Sequence, residues 1–185
     1  MLLIDPIVSH AVAIGMALLL IGAAWHKFRS HATFRETVAN YRLLPAPLSG
    51  PLAWLLPGIE VILGTGWLLY LFIPQLAIAT AALMLLYALA IAINLARGRV
   101  HIDCGCGGPA TGDAEQPISR GHVLRNVALA LIAYLPAMPA VERALGVADY
   151  IVAGVIVVIG ALLYAATTQL LQNAAAIRNW RMHRG

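Results

Sequence analysis

Charge is what this sequence has least of. Only 11% of its 185 residues are Asp, Glu, Lys or Arg, against roughly a quarter in an ordinary soluble domain. With 61% hydrophobic residues and a mean hydropathy of +0.83, that deficit excludes a soluble enzyme folded around its own core. Cysteine is almost absent, with two residues in the whole chain, so neither a disulfide framework nor a four-thiolate zinc site is available. There is no Gly-rich phosphate loop, no C-x-x-C-H haem attachment, no Ser/His/Asp set and no low-complexity segment. The net charge of +4 does not indicate nucleic acid, because the basic residues flank apolar segments, where they orient a chain in a membrane.

What the sequence has instead is long apolar runs. Between Arg42 and Arg97 the single charged residue is Glu60, and that interval holds two helical spans of about 20 residues each. The pattern predicts spans over residues 7–25, 52–72, 75–95, 123–138 and 151–171. The fourth is short, with Arg125 near its start and Pro136 and Pro139 near its end. The expected fold is all-α, a polytopic membrane helix bundle of four to five transmembrane helices forming one domain. The N-terminus has no basic n-region and no small-residue cleavage site, so the first apolar run is expected to stay as a span.

Five spans distribute charge unequally. Lys27, Arg29, Arg35 and Arg42, then Arg97, Arg99 and Arg120, then Arg178, Arg181 and Arg184 share one face; Arg143 lies on the other with Asp5, Glu142 and Asp149. The positive-inside rule predicts that the loop 97–121 faces the cytoplasm of a bacterial inner membrane, with the N-terminus outside. Between the first two spans, Phe28, Ala32, Phe34, Val38, Tyr41 and Leu44 recur at near-helical spacing. This predicts a short amphipathic helix over 33–43 lying in the interface, begun by a Thr33/Glu36 capping box and ended by Pro45 and Pro47.

The two cysteines stand together in "HIDCGCGGP", residues 101–109. Gly105 between Cys104 and Cys106 allows a tight bend. A disulfide across one residue is strained and therefore easily reduced, which suits exchange better than architecture. Arg97, Arg99 and His101 favour the thiolate, and Asp103 opposes it. The same sulfurs offer an alternative, a soft-metal site (Cu, Zn or Hg) with His101 or His122 as a further ligand. A third reading makes the stretch a turn at a helix end in a non-catalytic membrane scaffold. Glu60 is the second candidate. A carboxyl half a span deep must be protonated, paired or set beside a polar cavity, so it either moves protons for thiol chemistry or pairs with Lys27 or Arg42. Trp25 and Lys27 read as interface anchors, Asn94 as an interhelical hydrogen bonder, and Gly64, Gly66, Gly154 and Gly160 as sites of close helix packing. His10 and His183 read as incidental.

Several of these residues match one family. Trp25-x-Lys27, "TVANYRLLP" (residues 37–45), "LPGIEVILG" (56–64) and "HIDCGCGG" (101–108) together resemble MauE, the methylamine-utilisation membrane protein, and its wider DoxX-like, redox-associated relatives. Where that family commonly has an aromatic residue after the second cysteine, this chain has Gly107. The resemblance implies thiol/disulfide exchange with a thioredoxin-like partner, in support of disulfide formation or maturation of clients of the methylamine dehydrogenase type. Cys104 and Cys106 would be the redox pair, with Glu60 the intramembrane acid. Two cysteines cannot supply a dithiol on each face, so electron passage across the membrane would need a quinone or a rearrangement of the pair.

Overall fold

The computed structural model describes residues 3–100, 102 and 118–182, the side chains of 46 and 175–182 excepted. Among them are six helices: α1 (Pro6–Arg29), α2 (His31–Tyr41), α3 (Ser49–Leu68), α4 (Ile73–Ala96), α5 (Arg120–Tyr134) and α6 (Val147–Met182). Four are long and apolar enough to cross a membrane: α1, α3, α4 and the Val147–Ala174 part of α6. The described residues form no sheet, and the molecule is the expected all-α membrane bundle.

Local chemistry sets the helix ends. Asp5 caps α1 by accepting the Ile7 N–H at 2.9 Å, and Pro6 occupies the first turn, where its missing N–H costs nothing. Pro57 is buried inside α3, a placement that membrane helices tolerate. Gly98, at φ 70°, ends α4: its N–H reaches the Leu95 carbonyl and the Arg99 N–H reaches that of Asn94, both at 3.0 Å. This Schellman arrangement leads directly into the loop that carries the cysteines.

Two sequence expectations need correction here. The interfacial helix starts at His31 rather than Thr33, with Ser30 as its N-cap residue. Thr33 therefore lies inside the helix, where its carbonyl accepts the Thr37 hydroxyl at 3.0 Å, and the Thr33/Glu36 capping box does not form. Asn94 donates to Ala90 of its own helix at 3.1 Å rather than across to a neighbour.

Helix α5 has 15 residues, about 22 Å at 1.5 Å per residue, yet the chain does cross the bundle there. At its start Arg125 donates to Thr168 of α6 at 3.3 Å. Beyond its end, a 3-10 turn at Leu135–Ala137 delivers residues 139–141 to the beginning of α1. Ile4 bonds there to the Pro139 carbonyl (3.0 Å) and to the Val141 N–H (2.9 Å). A short helix, one 3-10 turn and an extended stretch thus do together what a single span does elsewhere.

The core is built on small residues. Ala13, Ala17, Ala77, Ala81, Ala130 and Ala133 are buried around Leu20, Met84 and Trp67, letting backbones approach closely. A Cβ on Gly64 would stand 2.7 Å from Ile21 of α1, so the α1–α3 contact depends on that glycine. Nothing lies within 4 Å of the corresponding position at Gly154 or Gly160, and the close packing expected there is absent. Trp67 donates to Thr80 at 2.8 Å, tying α3 to α4.

Candidate functional site

Three helices bring polar groups together inside this apolar bundle. On α1 the buried residues Ala13, Ala17, Leu20 and Ala24 recur at alternating spacings of four and three, and Lys27 continues the stripe. On α3 the stripe is Ala53, Pro57, Glu60, Gly64 and Trp67. On α4 Tyr87 lies beside a third stripe, through Ala77, Ala81, Met84, Ala88 and Ile91. Helical spacing of four and three directs such residues to one face, so Lys27 and Glu60 must enter the same interior as the alanines.

There Lys27 pairs with Glu60, at 4% and 1% exposure. The Lys27 ammonium donates to Glu60 Oε1, and the Tyr87 hydroxyl donates to that same oxygen at 2.8 Å. Lys27 Nζ also lies 3.4 Å from the Tyr87 oxygen and faces the rings of Phe34 (5.2 Å) and Tyr87 (4.9 Å). Two opposite charges and two aromatic faces offset the cost of removing the ions from water. Glu60 Oε2 is buried and has no hydrogen-bond partner among the described residues. Lys27 is thus not the interface anchor expected from the sequence. Trp25, by contrast, is 68% exposed.

Above the pair lies a cavity of about 330 Å³ between α2, the start of α3 and the last turns of α4. Its walls are mostly apolar, with Leu43, Leu52, Leu56 and Ile91 among them, and Lys27 and Tyr87 also line it. Leu44 and Leu86, 49% and 53% exposed, form part of the same lining and make its rim. The volume falls at the low end of the usual range for small-molecule sites, about 300–1,000 Å³.

Cys104, Cys106 and His101 lie outside the described residues. The neck of their loop is described, and it is closed: Ile118 donates to the Val100 carbonyl at 2.9 Å, and Ile102 and Ile118 are buried. Beside it His122, also buried, accepts the Ser119 N–H at Nδ1 at 3.1 Å. That bond places the proton of the neutral ring on Nε2. At the root of the loop the Arg97 guanidinium donates to the Arg42 carbonyl at 3.4 Å. Arg42 is flanked by the cavity-lining residues Tyr41 and Leu43. In sequence Cys104 stands four residues beyond Val100 and Cys106 six.

The profile of the family described as methylamine utilisation protein MauE matches residues 5–139. This chain belongs to the MauE family. It is 36% identical over 186 residues to methylamine utilization protein MauE of Methylophilus methylotrophus, covering 98% of this chain and 95% of that protein. It is 38% identical over 131 residues to the protein of that name from Paracoccus denitrificans, 71% and 69% of the two chains. The Methylorubrum extorquens protein is also 38% identical, over 144 residues and 75% and 76% of the chains. No solved structure matches the chain. The matched segment of the MauE family holds all three residues of the buried network, and both cysteines with them.

Tyr87 has no signal in the sequence. One aromatic residue in an apolar run carries no polar signal, and its role follows only from the carboxylate set opposite it. Lys27 did carry a signal, its place on the buried stripe of α1, which its position near a helix end and beside Trp25 obscured.

Proposed function

We propose that this MauE-family chain is a membrane thiol/disulfide redox protein that supports methylamine utilisation, with Cys104 and Cys106 exchanging electrons with a thioredoxin-like partner. The observation that supports this reading is the closed neck of the loop whose sequence holds the chain's two cysteines, the Ile118 N–H bonded to the Val100 carbonyl, in a bundle that buries Lys27, Glu60 and Tyr87 together. One cysteine attacks a disulfide as thiolate and forms a mixed disulfide; the second displaces the first and completes the internal disulfide. The partner's disulfide becomes a dithiol as the C-G-C pair becomes a disulfide, and the reverse reaction balances equally. The client class is that of methylamine dehydrogenase maturation. Glu60, bonded to Lys27 and Tyr87, serves as the intramembrane acid.

Trapping tests this. Cys104→Ser and Cys106→Ser each leave one thiol, and the variant that keeps the attacking thiol accumulates a covalent adduct with a thioredoxin-fold protein that reductant removes. No adduct from either variant, with both proteins inserted in the membrane, contradicts the exchange. The charge bias further assigns the loop to the cytoplasmic side. A membrane-impermeant maleimide should then label reduced Cys104 and Cys106 only after the membrane is opened, and labelling of intact cells reverses the orientation.

A further inference from the structure

The geometry points to the cavity between α2, α3 and α4 as a binding site for the head of a membrane quinone, held at a carbonyl oxygen by Lys27. This rests on the proposed thiol exchange for its purpose, though not for its geometry. Three features select the ligand class. The rim residues Leu44 and Leu86 are exposed, and Leu86 belongs to the membrane-crossing helix α4, so the ligand enters from the lipid phase. The walls are mostly apolar, which excludes water-soluble metabolites. At the floor, Glu60 already neutralises Lys27, so an anionic lipid or fatty acid head gains no net charge pairing. A neutral head with a hydrogen-bond acceptor does gain, because an ammonium carries three donors and Glu60 and Tyr87 take two.

The chemistry closes. A partner dithiol reduces the Cys104–Cys106 disulfide and becomes a disulfide itself. The C-G-C dithiol then gives two electrons and two protons to the quinone, re-forming its own disulfide and leaving a quinol. Lys27, bonded to Glu60 and Tyr87, is placed to relay one of those two protons, giving its own to the quinone oxygen and taking the replacement from the dithiol. Such a path needs no second dithiol on the opposite face.

Photo-crosslinking of the full-length protein in detergent with an azido-ubiquinone tests the site. The label is expected on residues 34–44 and 86–91, displaced by decylubiquinone and not by oleate. Lys27→Met should weaken decylubiquinone binding by about tenfold or more. Ala90→Trp, which fills the cavity and leaves the ion pair intact, should abolish it in a protein of unchanged circular dichroism. Label spread over α6, equal displacement by oleate, or full-strength binding by Ala90→Trp overturns the proposal. The Cys104→Ser/Cys106→Ser protein should bind the quinone normally. Binding without mixed-disulfide trapping would therefore remove the exchange reading alone, and trapping without binding would remove the quinone site alone.

Discussion

Lys27 and Glu60 each make sense only with the other present. Removing one member of a buried ion pair leaves an uncompensated charge, a loss of about 3–5 kcal/mol, whereas replacing both by apolar groups is often neutral. Glu60→Ala should therefore destabilise the bundle by about that amount, and Lys27→Met combined with Glu60→Leu should recover most of it. The midpoint of denaturation in mixed micelles measures both. Equal destabilisation by the double variant would show that packing around Tyr87, and not charge, holds these helices. Of the three residues, Glu60 was legible because it interrupts a long uncharged interval. Tyr87 was not, since nothing in the sequence distinguishes a tyrosine facing a carboxylate from one facing lipid.

At the level of helices, breakers set several ends, while the last helix runs Val147–Met182, well past the expected 151–171. Pro6, Pro74 and Gly98 lie at the ends of α1 and α4 for reasons local to the backbone. The capping box failed because Ser30, three residues earlier, already separates α1 from α2. Helix α5 starts three residues before its expected span and ends four before that span's end, because the rest of the crossing is made by a 3-10 turn and extended chain, which hydropathy does not encode. Glycines separate by context in the same way. Gly64 faces Ile21 at contact distance, while Gly160 faces open space. Gly64→Val should destabilise by about 1–3 kcal/mol through the α1–α3 contact, and Gly160→Ala should stay within about 0.5 kcal/mol. Comparable losses at the two positions, measured by the same denaturation, would mean that α6 packs more closely than its exposed surface indicates.

Across the whole molecule the two ends of the bundle differ in chemistry. The end opposite the cysteine loop is fastened by Arg143, which donates to Asp5 at 3.0 and 3.1 Å and to Asp149 at 3.0 Å. The bonds join the start of α1, the 139–146 connection and the start of α6. Hydrogen bonding from Arg143, then from the Ile7 N–H, lowers the Asp5 pKa below its ordinary 3.8, and hydrogen bonding to Asp149, then to Asp5, raises that of Arg143. A carboxyl depressed in the folded state contributes stability above its unfolded pKa and loses it as pH falls through the folded value. The thermal midpoint should accordingly decline below about pH 3.8, and Arg143→Ala should flatten that part of the profile. An unchanged acid limb in the variant would place the sensitive group elsewhere. The loop end instead has a closed neck at Val100 and Ile118, helix α2 along the cavity wall and the buried Lys27–Glu60 pair.

The proposed exchange requires that the cysteines be redox-active. Quenching membranes in acid, tagging free thiols with a mass-shifting maleimide, then reducing and tagging again with a second mass counts how many of Cys104 and Cys106 were paired. Redox cycling predicts a fraction with both sulfurs protected from the first tag. That fraction should fall to none with dithiothreitol and return when the reductant is removed and decylubiquinone is added. Two free thiols under every condition would contradict it.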